Sequence, residues 1–226
     1  MNYKAFLFDL NGTMIDDMGY HTKAWFSILN NDLSAGLSWE EVKSHMYGKN
    51  EELLVRVFGP DHFSKEEMKT LSVEKEKRYQ QEYIAHLKLI PGLDKVLKKA
   101  ADAGIQMAIG SAAITFNIDF VVDNLNIRDY FNAIVSADDV AYSKPDPETF
   151  IKAAALLGVD PKDCLVFEDA PKGVEAALRA GMDVLVITTM HEKEEFAAYP
   201  NVIGFIKDYE EEFVEELYSQ PHPQSA

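Results

Sequence analysis

The sequence predicts an α/β fold, with a Rossmann-like parallel sheet interrupted by an inserted all-helical cap domain. Three observations predict it. From residue 89 onward, short apolar runs of strand character alternate with amphipathic helical stretches, the pattern of a parallel sheet with right-handed crossovers. One further strand, Ala5 to Phe8, stands alone near the beginning. Between the two, from 16 to 88, the periodicity is helical. The expected division is a core of 1–15 and 89–218, a cap of 16–88, and a disordered tail over 219–226, which holds two prolines and little apolar content.

The first strand ends abruptly in Asp9, and Gly12 lets the chain turn away without a Cβ penalty. A buried strand that delivers a carboxylate to its carboxyl edge is how an open α/β sheet presents a reactive group. Taken alone, Asp-x-Asn-Gly also reads as an ordinary turn. In the insert, His21, Trp25, Ile28 and Leu29 recur at helical spacing, and Trp25 is expected in the cap core. Ser38 with Glu41 forms a capping box, as does Ser64 with Glu67. Gly48-Lys49-Asn50 precedes a helix whose apolar face is Leu53, Leu54, Val57 and Phe58, and Gly59-Pro60 closes it. The last insert helix runs towards His86, and its mixed charges Lys75, Lys77, Arg78 and Glu82 read as a solvated face.

Pro91-Gly92 marks the return to alternating structure. A helix over Leu93–Ala103 stops at Gly104, and a strand over Ile105–Ile109 leads to Gly110-Ser111. The pattern then gives a helix from Phe116 to Leu125, with Phe116 and Phe120 expected in the core, and a strand from Ala133 to Ser136. Asp146-Pro147-Glu148 opens a helix, with Asp as cap and Pro at its first position. A buried strand over Leu165–Phe167 ends in Glu168-Asp169, a helix over Val174–Ala180 stops at Gly181, and Asp183–Ile187 is a further strand. The acidic run from Asp208 to Glu216 reads as a solvated face with Phe213 and Leu217 turned inward.

Of the 226 residues, 47% are hydrophobic and 27% charged, an ordinary globular composition. A net charge of −16 argues against non-specific nucleic-acid binding, which needs a basic face. Any phosphate handled here requires a local reversal of that field by a metal ion or a few placed lysines. A single cysteine, Cys164, excludes an internal disulfide and sits in an apolar run as a core residue. No run approaches the roughly 18 apolar residues of a membrane span, and no signal-type core follows the start. A cytoplasmic monomer is the expectation.

Polar residues of particular types stand at or just beyond the carboxyl ends of predicted strands: Asp9, Ser111, Lys144 and Glu168-Asp169. In a parallel sheet these ends share one edge. Together they make chemical sense, with a carboxylate nucleophile or metal ligand, further oxygens for a hard cation, a point positive charge and a hydroxyl. An insert placed directly after Asp9 would sit over that edge, where a lid belongs. Lys49 and Asn50, in a loop before a helix, suit substrate selection, although a surface lysine is usually only solvated. Lys172 is expected to pair with Glu168 or a helix end.

These motifs make the chain similar to the haloacid dehalogenase superfamily, in the branch with a helical cap after the first motif. The residues that carry the resemblance are Asp9 to Thr13, Met107 to Ser111, Lys144-Pro145-Asp146-Pro147 and Phe167-Glu168-Asp169. His21 with Ala24-Trp25, Ser111-Ala112-Ala113, Asn117 and Glu168 to Gly173 resemble the β-phosphoglucomutase and sugar-phosphatase branch. The resemblance implies Asp9 as nucleophile, and Ser111, Ala112 and Lys144 around the phosphoryl group. It implies magnesium held by Asp9, the carbonyl of Asn11 and Asp169, with Glu168 assisting. It further implies phosphoryl transfer from a small phosphorylated metabolite, a sugar or polyol phosphate. A hexose-phosphate mutase is the alternative.

One residue departs from the pattern. The second aspartate of the first motif is Asn11, and an amide has no titratable proton for acid–base work. Three explanations stay open: another donor is recruited, His21 being the nearest candidate; the protein is a weakly catalytic phospho-ligand binder; or Asn11 was introduced to trap a complex.

Overall fold

The computed structural model describes residues 3–217. The expected tail lies outside them. The strands are β1 (Ala5–Phe8), β2 (Gln106–Gly110), β3 (Ala133–Val135), β4 (Cys164–Glu168), β5 (Asp183–Ile187) and β6 (Val202–Ile206). They form one sheet of order β3-β2-β1-β4-β5-β6, parallel throughout. The helices are α1 (Met18–Ser27), α2 (Trp39–Ser44), α3 (Asn50–Phe58), α4 (Lys65–Tyr83), α5 (Leu93–Asp102), α6 (Thr115–Asn124), α7 (Glu148–Leu157), α8 (Pro171–Ala180) and α9 (Glu212–Glu216).

The strands are apolar on both faces, as a sheet covered on both sides requires. Side chains alternate along β1, so Phe6 and Phe8 enter one cluster with Leu93, Val96 and Leu97 of α5 and Ile118 and Val121 of α6. Ala5 and Leu7 enter the other, with Phe150 and Ala153 of α7 and Val174 and Ala177 of α8. Cys164 is buried in that second cluster, as expected. Helices α1 to α4 enclose a third cluster around Trp25, Leu29, Val42 and Leu54, which gives the insert its own core. Ser38 and Ser64 cap α2 and α4 reciprocally with Glu41 and Glu67, and Asp146 accepts the Glu148 N–H at 3.0 Å at the start of α7.

Three expectations need correction. Strand β6 was not predicted: it is an edge strand, half-buried, and Gly204 interrupts its apolar run. Phe116 is exposed, and only Phe120 of that pair packs against the core. The charged face of α4 is solvated at Lys77 and Glu82, but Lys75 and Glu76 are buried. They can be buried because they pair with each other at 2.8 Å. Among the described residues no helix is long and apolar enough to cross a membrane.

Candidate active site

The parallel register brings the predicted strand ends to one edge. Phe8 lies opposite both Ile109 and Phe167, so Asp9, the Gly110-Ser111 turn and Glu168-Asp169 emerge side by side. They form the floor of a cavity of about 580 Å3 whose roof comes from the insert, and Asp9, Asn11, His21, Lys49, Asn50, Ser111, Ala112, Lys144, Glu168 and Asp169 all line it.

Lys144 is the hub. Its Nζ lies 2.7 Å from Asp9 Oδ1 and 2.8 Å from Glu168 Oε1, and all three side chains are buried. The second Glu168 oxygen accepts the Ala170 N–H at 2.8 Å. Protein donors therefore reach both oxygens of Glu168, which with Asp9 holds Lys144 in place. Lys172, expected to pair with Glu168 or a helix end, faces Glu175 of its own helix α8 at 4.0 Å. Asp169 is steadied by Thr13 Oγ1, which donates to its Oδ1 at 3.2 Å. The turn that carries Thr13 is pinned in place, because Thr189 donates to the Gly12 carbonyl at 2.6 Å and Tyr209 to the Thr13 carbonyl at 3.0 Å.

Three carboxylates around one ammonium leave surplus negative charge out of water. Burial accordingly pushes the Asp9 carboxyl up to about 7, with Lys144 opposing and Glu168 and Asp17 adding to the rise. Burial and the neighbouring Glu168 and Asp9 raise Asp169 well above the usual carboxylate range. Lys144 is pulled down by burial, yet Asp9 and Glu168 outweigh that and hold it protonated. A hard divalent cation would relieve this surplus. No group of three or more His, Cys, Asp and Glu side chains forms a metal cage among the described residues. Two carboxylates and a backbone carbonyl, completed by water and substrate, are nevertheless the sparse donor set that suits magnesium. Gly12 fits the same picture: its φ is +77°, and a Cβ there would stand 2.2 Å from Asp169 Oδ2.

Above the floor, Asn11 is tied into a buried polar chain that sequence reasoning found only in part. Its Nδ2 donates to Asp17 Oδ2 at 2.6 Å and lies 2.9 Å from His21 Nε2. His21 Nδ1 is 2.7 Å from Lys75 Nζ, and its ring stacks on Tyr79 at 3.8 Å. Lys75 donates to Glu76, which also accepts from Asn50 Nδ2 at 2.9 Å. Burial alone would raise the Glu76 carboxyl, but Lys75 and His21 override it and hold it below its ordinary value. The Lys75 Nζ group has only donors to offer, so in their contact His21 Nδ1 is the acceptor. Lys49 lines the cavity but extends to the Val140 carbonyl at 2.6 Å. The polar ends of Lys49 and Asn50 thus hold the wall together.

Asp17, Lys75, Glu76 and Tyr79 were missed, and Thr13 was read only as the end of the first motif. A signal existed for α4, where Ser72, Lys75, Glu76, Tyr79 and Tyr83 are all buried at three- and four-residue spacing. The two tyrosines marked the inward face, and the charged pair shares it.

A doubly wound sheet with an acidic strand-end site beneath an inserted helical cap defines a capped α/β enzyme of the phosphoryl-transfer type. The chain belongs to the haloacid dehalogenase-like hydrolases, whose family model matches residues 3–181. Fructose-1-phosphate phosphatase YqaB of Escherichia coli is 30% identical over 184 residues, covering 81% of this chain and 95% of that protein. Beta-phosphoglucomutase of Bacillus subtilis is 33% identical over 192 residues, covering 79% and 80%. Among solved structures, a HAD hydrolase from Entamoeba histolytica superposes with a TM-score of 0.84 at 26% identity, covering 95% of this chain and 97% of that one. Beta-phosphoglucomutase of Clostridium difficile superposes with a TM-score of 0.81 at 26% identity, covering 96% and 97%.

Proposed function

We propose that this protein is a magnesium-dependent phosphatase of a small sugar or polyol phosphate, working through an aspartyl-phosphate on Asp9. The observation that carries the reading is the Asp9–Lys144 contact of 2.7 Å on the floor of a capped cavity. An Asp9 oxygen attacks phosphorus as the ester bond breaks, and water then attacks the aspartyl-phosphate, releasing phosphate and restoring Asp9. Lys144 and the Ser111-Ala112 turn hold the phosphoryl oxygens. Magnesium, held by Asp9, Asp169 and the Asn11 carbonyl, would neutralise phosphoryl charge. The proton that Asn11 cannot supply is exchanged at His21, the ring nitrogen 2.9 Å from its amide. A proton given up at Nε2 is replaced at Nδ1 from Lys75, and the water step reverses both transfers. The two named relatives support the sugar-phosphate class, and closure of the helical roof would exclude bulk water.

Phosphate release from a panel of phosphorylated sugars and polyols tests this. One substrate should be turned over, and both Asp9→Ala and chelation of the metal should abolish it; activity that survives either change sinks the reading. A mutase would instead need a bisphosphate activator and give isomerised product. Asn11 favours a second reading, a binder that holds a sugar phosphate with magnesium but releases negligible phosphate from every substrate.

A further inference from the structure

Asp17 is the buried carboxylate that the reaction as proposed leaves without a role. It immediately precedes α1, where an aspartate usually caps the helix, yet its side chain makes no capping hydrogen bond. The side chain is wholly buried and turned towards the site. Its Oδ2 accepts from Asn11 Nδ2 at 2.6 Å and from the Tyr79 hydroxyl at 2.6 Å, and lies 3.1 Å from His21 Nε2. Its Oδ1 has no hydrogen-bond partner among the described residues. Burying a carboxylate with one oxygen unpaired is costly. A scaffold contact alone would be met as well by a neutral acceptor.

We propose that Asp17 is a positioning residue for the reaction, supplying from position 17 the carboxylate that position 11 lacks and acting through Asn11 and His21. The physical basis is the sense of the hydrogen bonds. An ionised carboxylate can only accept, so the amide end facing it must be Nδ2. Asn11 lines the cavity, and with Nδ2 held its Oδ1 is the end offered to a substrate or water hydroxyl. Asp17 Oδ2, 3.1 Å from His21 Nε2, takes the proton of that ring nitrogen and fixes the ring's tautomer. Were residue 11 a carboxylate, position 17 would have to donate instead, because two acceptors 2.6 Å apart repel. The two positions form one unit, with carboxylate and amide exchanged between them.

This rests on the phosphatase reading, so native protein and Asp9→Ala are assayed alongside. A native chain silent on every substrate overturns that reading and the proposal with it. An active native chain with an inactive Asp9→Ala leaves the proposal to be judged alone. In the native background, isosteric Asp17→Asn should lower kcat about tenfold or more with KM changed less than about twofold, the loss of an interaction made chiefly in the transition state. In the Asn11→Asp background the same change should cost nothing, because the new amide at 17 then donates to the new carboxylate at 11. An equal fold-loss in both backgrounds, or a native-background loss below about threefold, overturns the proposal. Should Asp17→Asn alone not fold, the double variant is compared with Asn11→Asp. A double variant at least as active as that single supports the exchange, and one about tenfold weaker overturns it.

Discussion

Lys144 Nζ stands 2.7 Å from Asp9 Oδ1, and both side chains are buried. The ammonium also lies 4.6 Å from the centre of the Phe150 ring, which packs in the apolar layer beneath it. Lys144→Met keeps the stem but strands the carboxylates of Asp9 and Glu168 without their counter-charge. Breaking a buried pair in this way typically costs about 3–5 kcal/mol. Urea denaturation should show a loss of that order, together with loss of phosphate release. Lys152→Ala is the control: its pair with Asp139 is 3.9 Å long and half-exposed, so stability should move by less than about 0.5 kcal/mol.

Gly12 and Asp169 share a space that a methyl group cannot enter. With φ at +77° and an added Cβ 2.2 Å from Asp169 Oδ2, Gly12→Ala must both strain the turn and displace the carboxylate. The strain should cost about 1 kcal/mol. Displacement of Asp169 should weaken magnesium about tenfold or more, read as a shift in the metal concentration giving half-maximal activity. An unchanged metal requirement would argue that Asp169 is not a ligand.

The raised carboxyls of Asp9 and Asp169 make stability depend on pH. Asp9 titrates near 4 when exposed and is pushed up to about 7 in the folded chain. Between those values the folded state binds more protons than the unfolded one, so stability of the metal-free protein falls as pH rises through that window. A bound divalent cation replaces those protons. Thermal melting with EDTA should therefore show declining Tm from about pH 4 to pH 7, and added magnesium should raise Tm more at pH 7 than at pH 5. Equal magnesium effects at both pH values would contradict the charge surplus assigned to the floor.

The floor was legible because strand periodicity ending in Asp9, Ser111 or Glu168 is a pattern of adjacent residues, and a parallel sheet turns it into a shared edge. The roof was harder to read. Asp17 looks like any acid before a helix, and only tertiary packing turns its side chain away from the helix end and onto Asn11. Lys75 and Glu76 look solvated because charge in a helix usually is, and their burial depends on a partner 54 residues away in His21. At β6, Gly204 and a half-buried edge position erased the alternation that betrays a strand. Side chains that answer to neighbours in sequence were readable, while those that answer to the other layer were not.

The roof and floor also touch directly, and the contact can be tested. Lys49 and Glu52, at the start of α3, reach the loop before Lys144: Lys49 Nζ donates to the Val140 carbonyl at 2.6 Å, and Ser143 Oγ donates to Glu52. Glu52 also accepts the Lys49 backbone N–H at 3.0 Å, so both contacts leave from one helix end. Because Ser143 adjoins Lys144, this bridge couples the cap to the residue that faces Asp9. Glu52→Ala removes an acceptor from Ser143 at a half-buried position, a change worth about 1 kcal/mol. The expected result is a fall in kcat/KM of roughly threefold to tenfold with Tm lowered by only a few degrees. The Lys144→Met chain, by contrast, loses both activity and stability. A Glu52→Ala protein with native kcat/KM would show that the Ser143–Glu52 contact does not couple the cap to Lys144.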